Sequence, residues 1–198
     1  MELIDKIQKN DEVMEEFHTS IHHGIYVSNA AYLLAEEIRL PEEQCYELAV
    51  AGMLHDIGKI RASKLLYIEQ PDHHFVIRQL NYLRKHPFLG FDLLKDQGYS
   101  DFVLESILFH HENYDGSGFP SNLFGELIPL GARVLRICDV FVTLITKKAY
   151  RPAYDVDTAL EFMIGEVKNF DMKLFLAFMN LVEKLDVDRD IKKKTPVL

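Results

Sequence analysis

Two short strings, far apart in the chain, each place metal-binding side chains where an apolar helical pattern stops. One is HDIGK, beginning His55-Asp56; the other is HHENYDGSGFP, from His110 to Pro120. Neutral imidazole is the commonest protein metal ligand, and carboxylates beside it favour a transition metal. Pairs so far apart serve one site only if helix ends converge, as they do where facing helices project side chains inward. The chain is therefore constrained to a helical bundle with a polar cleft.

The apolar pattern agrees. Ile21, Ile25, Ser28, Tyr32 and Ala35 recur at three- and four-residue steps. Pro41 followed by Glu42 and Glu43 starts a helix that runs through Leu48 and Ala51 to about His55. Asp72 is expected to cap a helix reaching about Lys85. His86-Pro87 begins the next, which Gly98 closes. Ser100 or Asp101 caps another, which runs into His110 and His111. Residues 112–127 read as a loop with Gly116, Gly118, Pro120 and Gly125. Pro129 starts a helix to about Thr146, and two amphipathic helices follow at about 156–168 and 171–185. The charged stretch 186–198 is expected to fray. No strand pattern and no internal repeat stand out, so the expected fold is all-α.

With 198 residues, 48% of them apolar, and no linker-like segment in the middle, one compact domain is expected. The formal charge of −9 argues against a nucleic-acid polymer as partner. A small anion is still accommodated, because cations within a cleft outweigh the global field locally. Cys45 and Cys138 form no CxxC motif and no disulfide framework, which suits a reducing cytoplasm. The polar N-terminus, MELIDKIQKNDEV, has no apolar core of a signal peptide. The most apolar long stretch, 128–145, carries Arg133, Arg136 and Asp139, so no membrane span is expected.

The candidate metal ligands are His23, His55, Asp56, His86, His110, His111 and Asp139. Singly, each has a plainer reading. A lone histidine is more often a surface or core residue, as His18, His22, His73 and His74 are taken to be. Asp139 also stands one turn from Arg136 as an ion-pair partner, and Lys59 also reads as a solvated lysine at a helix end. The joint pattern is what favours a metal site. Seven ligands suffice for two divalent metals, with Asp56 bridging through its two oxygens. A hydroxide held between such metals is a nucleophile for phosphorus. Two dications, two aspartates and one hydroxide leave roughly one positive charge, which suits a phosphodiester anion. Mixed histidine and carboxylate ligation suits iron, manganese, zinc or nickel.

In these residues the chain resembles the HD-GYP family, a branch of the HD-domain metal-dependent phosphohydrolases. The resemblance spans about residues 18–182. It rests on HDIGK, on His86-Pro87 with Gly90, on HHENYDGSGFP, on IPLGARVLRICDVF at 128–141 and on KKAYR at 147–151. His23 matches the first family histidine. The resemblance implies a helical HD-domain bundle at 18–185, with an N-terminal helical extension at 1–17 and a tail at 186–198. It implies hydrolysis of cyclic di-GMP to the linear dinucleotide or on to GMP, with Asp56 and Lys59 in catalysis. It carries the seven residues over as ligands of two metals, iron or manganese first. Lys59 carries over as a phosphate contact, and Lys148 and Arg151 as residues that hold the substrate's phosphates.

Three positions depart from the family pattern. Thr19 stands where some members have a glutamate that completes a third metal site, so two metals are expected. Gly118-Phe119-Pro120 replaces Gly-Tyr-Pro; Phe119 keeps an aromatic face to stack on guanine or pack the loop, without the hydroxyl. Lys148-Ala149-Tyr150-Arg151 replaces Arg-Pro-Tyr-Arg, keeping the charge and losing the first guanidinium fork. Two alternatives follow: an HD phosphohydrolase of another cyclic dinucleotide or nucleotide, or a slow module that senses cyclic di-GMP. The short stretch ahead of residue 18 points to constitutive action or to a signalling partner in trans.

Overall fold

The computed structural model describes residues 2–61, 84–148 and 151–193, with side chains from residue 19 onward. The helix expected from Asp72 to Lys85, and His73 and His74 with it, lie outside the described residues except at its last turn. Helices α1 (Glu2–Glu37), α2 (Glu42–Leu54), α3 (His86–Leu94), α4 (Asp101–Phe109) and α5 (Leu130–Ile145) build the core of the bundle. Helices α6 (Val156–Gly165), α7 (Met172–Val182) and the short α8 (Val187–Asp190) follow among the described residues. Among the described residues there is no strand, only an isolated bridge between Lys148 and Arg151.

Local chemistry sets the helix starts. The Ser100 hydroxyl accepts from Val103 N–H at 3.2 Å, and Asp155 accepts from Thr158 N–H at 2.8 Å. Asp171 accepts from the amides of Lys173 and Leu174, and Asp186 from that of Arg189. Each satisfies amide donors that a first turn leaves without an intrahelical partner. After α3, Gly98 turns with φ 82°, a left-handed conformation that costs glycine little.

Helix α5 is the centre of the molecule and packs against α1, α2, α4, α6 and α7. Its Val134, Leu135, Cys138, Phe141 and Val142 are buried against Val27, Ala30 and Leu34 of α1, Leu48 of α2, and Phe175 and Phe178 of α7. Phe141 and Phe178 meet edge to face with centroids 5.0 Å apart. Removing this apolar surface from water is the main force that sets α5 between the others. Cys45 and Cys138 are free and buried. Among the described residues no helix is long and apolar enough to cross a membrane.

Helix α1 runs unbroken from Glu2 to Glu37, through residues 17 and 18. One sequence expectation changes. The segment after Asp186 does not fray through residue 193: Val187 and Ile191 are buried, and Asn29 donates to the Ile191 carbonyl at 2.9 Å. One helical turn puts both apolar side chains on the same face, which docks an otherwise charged segment.

Candidate metal centre

The seven candidate ligands come from α1, the end of α2, the start of α3, the end of α4 and the middle of α5. They meet as two abutting groups. Asp56, His86, His110 and His111 form one, and His23, His55 and Asp139 the other; within each group the ligand atoms lie within 4.8 Å of one another. His86 Nε2 is 3.2 Å from both His110 Nε2 and Asp56 Oδ1. In the second group, His23 Nε2 is 3.0 Å from Asp139 Oδ1. Asp56 joins the two groups. While Oδ1 faces His86, its Oδ2 lies 3.4 Å from His55 Nε2.

The histidines are aimed by backbone carbonyls. His55 Nδ1 donates to Gly52 O and His110 Nδ1 to Ile107 O, both at 2.7 Å. A carbonyl only accepts, so each Nδ1 carries a proton, and in the neutral form each ring turns an Nε2 lone pair into the cluster. His55 Nε2 is buried and makes no hydrogen bond among the described residues.

Electrostatics separates the rings. Burial opposes charge on His55, but Asp56 and Asp139 outweigh it and raise its pKa. Burial, then the neighbouring His111, His55 and His86, hold His110 well below the ordinary imidazole value. His111 is lowered to about 3, again chiefly by burial. Burial works against ionisation of Asp56 and Asp139, yet their histidine neighbours hold both well below the usual carboxylate range. Ionised carboxylates and neutral imidazoles are the forms that bind metal.

This donor set fits divalent transition metals. Ligands about 2.1 Å from a common ion, at tetrahedral or octahedral angles, stand about 3.0–3.4 Å apart. The spacings of 3.0 Å for His23–Asp139 and 3.2 Å for His86–His110 lie in that range. Two groups sharing one carboxylate, with lone pairs already turned inward, fit a pair of ions.

Glycine lets the elements come this close. A Cβ on Gly58, in the turn after α2, would strike the His86 carbonyl at the start of α3. A Cβ on Gly118 would strike the backbone of Glu112 and Asn113. The loop that follows His111 is held by Glu112, which is buried and accepts from Ser121 N–H at 2.6 Å and Leu123 N–H at 3.1 Å. Asp115 accepts from both the amide and the hydroxyl of Ser117. These two acids shape the loop.

A cleft of about 450 Å³ opens over the cluster, lined by Thr19, Ser20, His23, Asp56, Lys59, His111, Arg136, Asp139, Thr143 and Lys148 among others. Lys59 Nζ donates to Asp56 Oδ2 at 2.6 Å and remains 44% exposed, so it is not simply a solvated lysine. Burial lowers the Lys148 pKa, with Asp139 acting against that shift. Phe119 lies flat on the His111 ring, centroids 4.8 Å apart, with the Arg84 guanidinium 5.2 Å from its own centroid.

Arg151 is placed otherwise than the sequence suggested. Its guanidinium donates to the carbonyls of Thr143 at 2.6 Å, Leu144 at 3.0 Å and Pro152 at 2.9 Å. It closes the carbonyl end of α5 and is not among the residues lining the cleft. Arg136 also lines the cleft, whereas its position in the sequence suggests only a partner for Asp139. Asp139 is bonded to His23, whereas Arg136 Nε donates to Asn113 Oδ1 at 2.9 Å. The available signal was its spacing: residues three apart on a helix share a face, and Asp139 faces the cluster.

With this geometry established, comparison gives the class. The HD domain family model matches residues 3–174, and the chain belongs to that family. A cyclic di-GMP phosphodiesterase response regulator, RpfG of Xanthomonas campestris, is 34% identical over 71% of this chain and 37% of its own length. The cyclic di-GMP phosphodiesterase PA4108 of Pseudomonas aeruginosa is 31% identical over 81% of this chain and 38% of its own. The chain thus spans under two fifths of the length of these relatives. A solved cyclic GMP-AMP specific phosphodiesterase of V. cholerae superposes with a TM-score of 0.65 at 20% identity, covering 87% of this chain and 46% of the other, which supports the fold.

Proposed function

We propose that the chain is a cyclic di-GMP phosphodiesterase of the HD-GYP branch. It adds water across one P–O bond of the ring to give the linear dinucleotide, and a second addition gives GMP. The observation that carries this reading is Asp56, which turns one oxygen to each of two histidine-rich groups. His23, His55 and Asp139 would hold one ion, His86, His110 and His111 the other, and Asp56 would bridge them. Two divalent transition metals there, iron or manganese in preference to zinc or nickel, would supply Lewis acidity and a nucleophilic water at neutral pH.

The chain's own residues do the rest. Lys59, beside Asp56, holds a phosphoryl oxygen as a point charge and offsets the negative charge that develops on it. Lys148, half-buried across the same cleft, contributes a second cation to the bound nucleotide. Phe119 supports His111 from the loop side. The site acts on a small anion in the cytoplasm rather than on a nucleic-acid polymer or a membrane.

The test is metal content and product analysis on one sample, with cyclic di-GMP and Mn or Fe(II) under reducing conditions. Two metals per chain and linear product are expected, with activity lost in His55→Ala and Asp56→Ala. Activity that persists in both variants would refute the metal assignment. Full metal occupancy with tight binding and no turnover would replace the enzyme with a sensor. Phe119, which lacks the tyrosine hydroxyl, favours one second reading: the same chemistry on another cyclic dinucleotide, tested by competing substrates in the same assay.

A further inference from the structure

Arg136 is the feature of the cleft that the proposed chemistry does not use. It lies on α5 one turn before Asp139, lines the cleft beside His111, and is partly buried. Burial lowers even its guanidinium pKa, with Asp139 acting against the shift. A cation taken out of water is costly unless it is paired. Arg136 has no carboxylate within ion-pairing distance among the described residues, and its one hydrogen bond there is to the neutral Asn113 amide. That bond engages Nε. The two terminal nitrogens, whose paired donors match two oxygens of one anion, make no hydrogen bond among the described residues.

The orientation of this group is not left to chance. Asp115 accepts from Ser117 Oγ at 2.6 Å, Ser117 Oγ accepts from Asn113 Nδ2 at 2.9 Å, and Asn113 Oδ1 accepts from Arg136 Nε at 2.9 Å. The chain of bonds runs from the tip of the Gly-rich loop to α5. It also fixes the Asn113 amide, since its nitrogen must face Ser117 for its oxygen to face Arg136. Lys59, by contrast, is already bonded to Asp56.

We propose that Arg136 is a substrate-binding residue whose terminal nitrogens take two oxygens of a phosphate on the nucleotide, and that Asn113 is the positioning residue that aims it. This deepens the reading of the cleft as a cyclic-dinucleotide site and rests on it. Recognition of phosphate by a fork would offset the lysine at position 148, which lacks one. The same bonds would link the loop's conformation to substrate affinity, so loop residues well away from the metals would influence binding.

The experiment is steady-state hydrolysis of cyclic di-GMP by the metal-loaded full chain. Wild type is compared with Arg136→Ala, Arg136→Lys and Asn113→Ala, with metal content and melting temperature recorded for each. Losing a charge-assisted bidentate contact is expected to raise KM about tenfold or more in Arg136→Ala, with a smaller effect on kcat. Arg136→Lys should recover part of that loss, and Asn113→Ala should raise KM by a smaller factor. If Arg136→Ala does not fold, Arg136→Lys carries the test, with KM above wild type expected. A KM equal to wild type in the folded variants, or a loss confined to kcat with reduced metal content, would overturn the proposal. If wild type turns over no cyclic dinucleotide, the phosphodiesterase reading falls separately. Arg136 is then judged by titration with GMP: tenfold weaker binding by the variant supports it, and equal or absent binding in both overturns it.

Discussion

The Nε2 atoms of His86 and His110 face each other at 3.2 Å inside the bundle, both from buried rings. His110 has its Nδ1 proton on the Ile107 carbonyl, so its Nε2 offers a lone pair to this meeting point. Two imidazole nitrogens at that distance, with Asp56 Oδ1 also 3.2 Å from His86, have the spacing that an edge of a coordination shell requires. His110→Ala or His86→Ala should therefore lower bound metal from two ions towards one. Hydrolysis should fall about a hundredfold or more. Elemental analysis of the purified variants, beside the product assay, measures both; two ions per chain in His110→Ala would contradict the assignment.

Chelation should expose the electrostatics of the empty cluster as pH-dependent stability. Burial holds His111 at about 3 and, with neighbouring rings, holds His110 well below its ordinary value. Unfolded, both titrate near 6.5. Below about 6.5 the unfolded chain takes up protons that the folded chain does not, so stability falls as pH falls towards about 3. His55 acts in the opposite sense: its raised pKa gives stability that is present below 6.5 and lost as pH rises through the folded value. Two rings are lowered and one is raised. The urea midpoint of chelated protein should thus be lower at about pH 5 than at about pH 7. A higher midpoint at the acid pH would show that the rings accept protons in place.

Arg151 and Lys148 pair through their backbones but send their side chains to different places, and they should separate in kinetics accordingly. The Arg151 side chain satisfies carbonyls at the end of α5, so Arg151→Ala should cost about 1–2 kcal/mol of stability. Lys148→Ala should instead raise KM, since Lys148 lines the cleft. Melting curves and Michaelis constants on the two variants check this. A Lys148→Ala protein with wild-type KM and a lowered melting temperature would reverse the assignment.

The pattern of what could be read from the sequence has a physical basis. The histidine and aspartate cluster was legible because four of its members come as dipeptides, His55-Asp56 and His110-His111, at helix ends marked by local signals. The helix starts at Pro41, Ser100 and Pro129 were legible for the same reason. Arg151 was misplaced because the direction of a long side chain is decided by which carbonyls tertiary packing leaves open, and no local string records that. Arg136 was passed over because its acceptor, Asn113, lies 23 residues away across a loop. Val187 and Ile191 were hidden in a charged stretch, where two apolar residues four apart give too short a pattern to outweigh composition. Thr19 was read as a departure from the family and does line the cleft.

Gly58 ties the fold to the site and gives the sharpest steric prediction. It sits in the turn between Asp56 and Lys59, where the backbone passes against the start of α3. A methyl group there has no space, because the nearest atoms are the His86 carbonyl and the Gly90 amide, which are backbone and cannot rotate away. Gly58→Ala must push α3 outward, and α3 carries His86. The cost is expected to be about 2 kcal/mol, as for other overpacked sites. Displacing His86 should also weaken metal binding, so the variant should lose stability and metal together. The control is Gly165→Ala, at the end of α6, where an added Cβ meets nothing within 4 Å. Urea unfolding and metal content of the two variants decide it. If Gly58→Ala retains full metal content and the wild-type midpoint, the close approach of the HDIGK turn to α3 does not set the position of His86.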